Sequence, residues 1–241
     1  MNSLTFLAIT LLSGAISGII LSFLNLLIVE YFIDQAINLE TQKMVLKGQH
    51  IDMAELGNYR VWQKSGSIIA GAVYGIAFAS FLGIIFVYIR KSLPGSNNKR
   101  KALVLVGILW VVIFLAVSLK YPANPPAVGD PDTIYYRELL YVGFIIFSGS
   151  TALVLAIIHK KLRNSYQNKV LLPIIYAVIM IAAYFMFPPN PDQVDISTGL
   201  IFNFRVASGF TIGIFWITLG IIFGTLWDKF KPYEQSKITI V

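Results

Sequence analysis

Lys120-Tyr121-Pro122-Ala123-Asn124-Pro125-Pro126-Ala127-Val128-Gly129-Asp130-Pro131 separates two hydrophobic segments, and Phe187-Pro188-Pro189-Asn190-Pro191 separates two more. Both stretches carry one word: aromatic, proline, any residue, asparagine, proline. Proline lacks an amide hydrogen and fixes φ, while asparagine favours turns, so each word is a rigid helix stop. A recurring stop implies a recurring helical hairpin.

The segments on either side of these words place the hairpins in a membrane. Six stretches, residues 4–29, 67–89, 102–119, 139–158, 170–187 and 206–227, contain no Lys, Arg, Asp or Glu. A helix needs about 20 mainly apolar residues to cross a hydrocarbon core of about 30 Å, and there every backbone polar group must be bonded internally. Six helical spans follow. A hydrophobic fraction of 56% and a mean hydropathy of +0.72 leave no room for a soluble domain. The stretch 170–187 is the weakest candidate, being short, and Pro173 is expected in its first turn, where proline is tolerated. No Lys or Arg precedes Leu4, and the run it opens is too long for a signal peptide, so it reads as a retained helix. The chain has no cysteine, which rules out disulfides and thiolate metal sites.

Charge orients the spans. Segments following the second, fourth and sixth stretches carry 12 of the 19 basic residues, and the opposite side carries ten of the 12 acidic ones. The positive-inside rule then puts both termini and the short basic loops in the cytoplasm and the Pro-rich acidic loops outside, in a multi-pass cell-membrane protein. The net charge of +7 thus reads as an orientation signal and contact with the inner leaflet, not as a nucleic-acid footprint.

The repeat extends beyond the proline words. Tyr59-Arg60, Tyr136-Arg137 and Phe204-Arg205 each precede a return helix, and each return helix ends in a basic cluster. Two spans per unit give all units one orientation, so the expectation is an all-α integral membrane protein, one membrane domain over residues 1–241, built from three parallel hairpin repeats at 1–93, 94–164 and 165–231. The first repeat lacks the proline word and has instead an outer loop, 30–66, long enough to hold its own structure. Gly71-x-x-x-Gly75 and Gly220-x-x-x-Gly224 mark faces for close packing within or between hairpins.

Candidate site residues gather at the outer mouth. Arg60, Arg137 and Arg205 have two readings: interfacial anchors, or a converging set that pairs with Glu30, Asp130, Asp132, Asp192 and Asp195 in a charged ring. Glu30 and Asp34 share one face if the first helix continues through Ile37, and like charges at i, i+4 repel unless a cation or a basic partner sits between them. They are read as solvated or ligating. Asn124 and Asn190, one in each proline word, complete the polar set. His50, Asp52 and Glu55 offer one imidazole and two carboxylates, a ligand set suited to Co²⁺, Ni²⁺ or Zn²⁺, against the plainer reading of a solvated loop histidine.

No span carries an ionisable carboxylate, Lys, Arg or His, and no Walker loop, G-x-S-x-G or H-E-x-x-H is present. A self-contained pump, a membrane protease and enzymatic activity in general are not expected, and no cofactor is.

At Lys120 to Pro131, and again at Phe204-Arg205-Val206-Ala207-Ser208-Gly209 and Phe215-Trp216-Ile217-Thr218-Leu219-Gly220-Ile221-Ile222-Phe223-Gly224, the chain resembles the CbtA family of proposed cobalt transporter subunits. The resemblance covers most of the chain, with Tyr-Pro-Ala-Asn-Pro-Pro its most specific word. It implies a polytopic subunit that works in cobalt uptake for cobalamin biosynthesis, with Co²⁺ as the transported ion and a small single-span partner supplying histidines. The family is described with five spans, one fewer than the count here. It carries over no established catalytic or ligand residue. Two functions stand: a membrane subunit of a divalent-metal uptake system, or a non-transporting scaffold subunit of a larger membrane complex.

Overall fold

The computed structural model describes residues 2–126, 128–161, 166–191 and 196–233. Among these residues the secondary structure is helical and contains no strand. Five helices are long and apolar enough to cross a membrane: Ser3–Leu46, Met53–Ile89, Asn98–Lys120, Pro131–His159 and Thr198–Phe230. The sixth charge-free stretch lies in a helix, Tyr166–Met186, whose described apolar part, Val170–Met186, is shorter. That helix begins upstream of the apolar stretch, so Pro173 lies inside it and not in its first turn. An interior proline removes one backbone hydrogen bond from this helix.

The first helix starts where Asn2 caps it, its side-chain oxygen accepting from the amides of Leu4 and Thr5 at 3.1 and 3.3 Å. Helix α1, Ser3–Leu24, passes through a π-helical turn at Asn25–Val29 into α2, Glu30–Leu46. The segment 30–66 is helical over most of its length. It consists of α2, a turn at residues 47–52 in which Gly48 takes a φ of 78°, and the first part of α3, Met53–Ile89. The apolar residues Phe32, Ile33, Ala36 and Ile37 keep the helical period beyond the charge-free stretch, which is why the helix does not stop at Glu30. The 44 residues from Ser3 to Leu46 reach about 66 Å at 1.5 Å per residue, roughly twice a bilayer core.

The remaining elements are α4, Asn98–Leu109, a second π-helical turn at Trp110–Leu115, and α5, Ala116–Lys120, which together form the third apolar helix. After the proline word, a 3₁₀ turn at Pro131–Thr133 leads into α6, Ile134–Lys161, followed by α7, Tyr166–Met186, and α8, Thr198–Phe230.

The chain forms two compact units, and they cut across the expected hairpins. One comprises Met1–Ile108, Pro125–Ala127 and Ser197–Val241, and the other Leu109–Asn124 and Val128–Ile196. In the first unit α1 packs along α3 with glycine against glycine. A Cβ added at Gly14 would lie 2.6 Å from the Gly75 carbonyl oxygen, and Gly18 faces Gly71 in the same way. Ser22 strengthens this seam, donating its hydroxyl to the Ser67 carbonyl at 2.8 Å. Small residues plus an interhelical hydroxyl bond are how membrane helices associate where hydrophobicity gives no net driving force. Gly224 meets the backbone of Lys99, and Gly220 the side chain of Val106, so the Gly220-x-x-x-Gly224 motif seats α8 on α4. At that end the Asp228 carboxylate accepts from the Asn98 and Lys99 amides, both at 3.0 Å, and caps the start of α4. Gly66, Gly209 and Gly213 border open space and take no part in helix packing.

The core of the second unit is Val117, Tyr121, Leu140, Phe144, Met180 and Ala183, drawn from α5, the proline word, α6 and α7. At the π-helical turn, Ser148 of α6 donates to the Val112 carbonyl at 2.6 Å and lies 2.7 Å from the Tyr176 hydroxyl of α7. Ser148 has one proton and has given it to Val112, so Tyr176 is the donor of the second bond.

Candidate functional site

The π-helical turn at Asn25–Val29 delivers Glu30 and Asp34 to one face of α2, and α3 brings Arg60 and Lys64 to meet them. Both pairs are spaced i, i+4, so the four side chains interlock as a ladder. Arg60 Nη2 contacts Glu30 Oε1 and lies 3.0 Å from Asp34 Oδ1. Lys64 Nζ is 2.9 Å from Asp34 Oδ2 and 3.4 Å from Glu30 Oε1. Gln63 accepts from the other Arg60 amine nitrogen, Nη1, at 2.5 Å. Arg60 and Glu30 are the shielded rung, their side chains 15% and 16% exposed, whereas Asp34 and Lys64 are 45% and 37% exposed.

This geometry resolves the repulsion expected between Glu30 and Asp34. Neither solvation nor a bound cation is what relieves it: two basic side chains of the same hairpin do so, and the four formal charges sum to zero. Two of the carboxylates expected at the outer mouth are thus already neutralised. Sequence reasoning singled out Arg60 but missed Lys64, although the matching i, i+4 spacing of the two pairs was the available signal.

A cleft of about 500 Å³ opens between α2 and α3 beside the ladder. Glu30, Glu40, Arg60 and Lys64 are its charged lining, Ile33, Ile37 and Leu56 supply apolar walls, and Pro126, from the first proline word, also lines it. Its volume falls within the range of about 300–1,000 Å³ typical of small-molecule pockets.

The other expected site residues take simpler roles. Asp130 starts the 3₁₀ turn: its carboxylate accepts from the Asp132 amide at 2.9 Å, and its carbonyl accepts from Thr133 Oγ1 at 2.8 Å and from Arg137 Nη2 at 3.2 Å. Arg60 and Arg137 therefore each find partners inside their own hairpins. Asn124 and Asn190 follow the ends of α5 and α7 within the second unit, and Arg205 lies on α8 within the first. Asp192 and Asp195 lie outside the described residues.

The set His50, Asp52 and Glu55 is not assembled. Asp52 is the N-cap of α3, with Oδ1 accepting from the Ala54 and Glu55 amides at 2.8 and 3.1 Å, while His50 and Glu55 are exposed. A capping carboxylate is committed to the helix end, which is why a spacing suited to metal binding does not become a metal geometry. Among the described residues no group of three or more His, Cys, Asp or Glu is disposed to hold a metal ion.

Five apolar helices of spanning length, with polar groups at their ends and hydroxyl or glycine contacts between them, define an α-helical, multi-pass membrane protein. A family model described as probable cobalt transporter subunit (CbtA) matches residues 4–228, nearly the whole chain, and the protein belongs to that family. No curated protein and no solved structure matches the chain.

Proposed function

We propose that this chain is the membrane-spanning subunit of a divalent-metal uptake system with cobalt as its cargo, and that a small single-span subunit bearing histidines completes the metal path. The family match over residues 4–228 carries this reading. Two histidines and no cysteine in 241 residues are too few soft or borderline ligands for selective cobalt binding by this chain alone, which supports the partner.

The proposal includes six spans in three parallel hairpins with both termini cytoplasmic. The hydrogen bond from Tyr121 to Pro188 supports the sixth. Those residues follow α5 and α7, so the chain between them departs and returns to one side. Helix α6 has 28 residues and α7 has 21, about 42 and about 32 Å. If α6 crosses, α7 brings the chain back.

The second reading, a scaffold subunit that does not transport, draws on the absence of ionisable groups from all six apolar stretches and on the neutralised Glu30–Asp34 pair. Uptake of radioactive cobalt in a host lacking its own cobalt transporters separates the readings. Transport with the partner and none by the chain alone is expected. Uptake by the chain alone removes the partner requirement, and no uptake under any condition favours the scaffold. The outer carboxylates Asp130, Asp132 and Asp192 are assigned a role in concentrating the cation, and unchanged uptake after neutralising them removes that role.

A further inference from the structure

Helix α2 is an arm with a hinge at one end and a strap across its base. Its root is the π-helical turn at Asn25–Val29, a local break in helical register of the kind that accompanies helix kinks and functional sites. That root is fixed from the side by α8: Thr211 donates to Asn25 Oδ1 at 2.7 Å, and Val29 is buried with Phe204 and Ala207. Beyond the root Phe32 and Ile33 pack against the same cluster, Ala36 is the one residue of α2 that is fully buried, and the far end is joined to α3 by the turn at residues 47–52. The 17-residue arm is about 25 Å long. Across its base runs the ladder of Glu30, Asp34, Arg60 and Lys64, and beside the ladder lies the cleft with apolar walls from Ile33, Ile37 and Leu56.

We propose that the ladder is a strap that holds the α2 arm at one spacing from α3, keeping the cleft between them open, and that releasing the strap lets the arm move about the π-helical hinge. The chemistry of the strap supports this. Arginine and lysine span the gap with long side chains and reach both carboxylates, so the helices are tied at side-chain length and not in direct backbone contact. Apolar walls facing a solvent-filled cleft favour closure, because closing them removes apolar surface from water. The bridging charges oppose that closure by occupying the base. A shielded Arg60–Glu30 rung behind a more exposed Lys64–Asp34 rung gives the strap a part that ions and water reach first.

The absence of native cysteine allows a direct test in the full chain. Spin labels on Asn38→Cys, midway along α2, and Asn58→Cys, on α3, both exposed positions, report the spacing as a distance distribution by pulsed electron resonance. One narrow peak is expected with the strap intact. Lys64→Gln is expected to broaden it, and Arg60→Gln together with Lys64→Gln to give a broad or two-peaked distribution. Glu55→Gln, an exposed charge outside the ladder, is the control and leaves the peak unchanged. Reversing all four charges (Glu30→Arg, Asp34→Lys, Arg60→Glu and Lys64→Glu) is expected to narrow the distribution again. If the double variant does not accumulate as folded protein, the two mild changes on the exposed rung, Lys64→Gln and Asp34→Asn, decide the matter. A distribution that keeps its wild-type position and width in those variants overturns the proposal, because the arm would then be held by its contacts with α8.

Discussion

The hydroxyl of Tyr121 donates a hydrogen bond to the carbonyl oxygen of Pro188 at 2.7 Å, joining the two proline words that stand 66 residues apart. The aromatic that opens each word, Tyr121 in one and Phe187 in the other, also meets Phe144 edge to face, with ring centroids 5.7 and 4.9 Å away. The recurring word therefore stops two helices and then locks the two stops together around one phenylalanine.

Loss of the Tyr121 hydroxyl is expected to loosen this lock without dismantling it. Tyr121→Phe keeps the ring contact with Phe144 and leaves the Pro188 carbonyl without that donor, at a cost of about 1 kcal/mol. For a chain of this size that lowers the thermal midpoint by about 2–4 °C. Phe144→Ala removes the shared ring and is expected to cost about 3–5 kcal/mol. Thermal unfolding in detergent, followed by a conformational probe, measures both. A Phe144→Ala effect no larger than that of Tyr121→Phe would show that the words do not depend on the central ring.

At the α1–α3 seam the sign of a glycine substitution depends on its neighbour. Gly14→Ala drives a methyl group against the Gly75 carbonyl and the Ile76 backbone, neither of which is a flexible side-chain end, and is expected to destabilise by about 1–3 kcal/mol. Gly209→Ala adds the same methyl group where nothing lies within 4 Å and is expected to be neutral to mildly stabilising, since alanine is the better helix former. Comparing the two variants under one unfolding protocol checks this. Equal effects would mean that the α1–α3 contact is looser than the structure shows.

The second unit offers a test of buried polar coupling. Ser148→Ala strands both the Val112 carbonyl and the Tyr176 hydroxyl, while Tyr176→Phe removes a donor and leaves Ser148 bonded to Val112. The serine change is expected to be the more damaging. A double-mutant cycle is expected to give a coupling of about 0.6–1.7 kcal/mol, from the average to the largest value for hydrogen bonds between membrane helices. Additive effects would remove the inferred Tyr176-to-Ser148-to-Val112 chain.

What the sequence made legible was the part of the fold written in composition. Charge-free stretches mark the helices because a bilayer excludes charge, and the proline words mark their ends because proline excludes a continuing helix. The family was legible too, in the Tyr121 to Pro126 word. The site was legible by residue and only in part by partner. Arg60 stood out as one of three matching arginines, with Glu30 among its expected partners and Asp34 on the same face if the first helix continued, yet the joint bridging of both carboxylates by Arg60 and Lys64 depends on how α2 and α3 pack. The π-helical turns at Asn25–Val29 and Trp110–Leu115 left no trace, since neither holds the Gly or Pro that usually announces a break. The His50, Asp52 and Glu55 spacing misled for a related reason: a capping aspartate and a ligating aspartate look alike until the helix start is known.

The number of crossings is expected to be decided at α7. Single cysteines at Asn97, Gln49 and Asp192 in this cysteine-free chain can each be labelled by a membrane-impermeant thiol reagent in intact cells, with permeabilised cells as the reference. Asn97 lies in the basic segment between α3 and α4, whereas Gln49 lies in the turn between α2 and α3, on the side that carries most of the acidic residues. The contact between Tyr121 and Pro188 sets the ends of α5 and α7 on one side, so Asp192, a few residues beyond Pro188, should label together with Gln49 and not with Asn97. The positive-inside rule further makes the Gln49 and Asp192 side the accessible one. Labelling of Asp192 together with Asn97 would mean that α7 does not cross, would reduce the spans to five, and would require the hydrogen bond that joins the two proline words to be absent in the membrane.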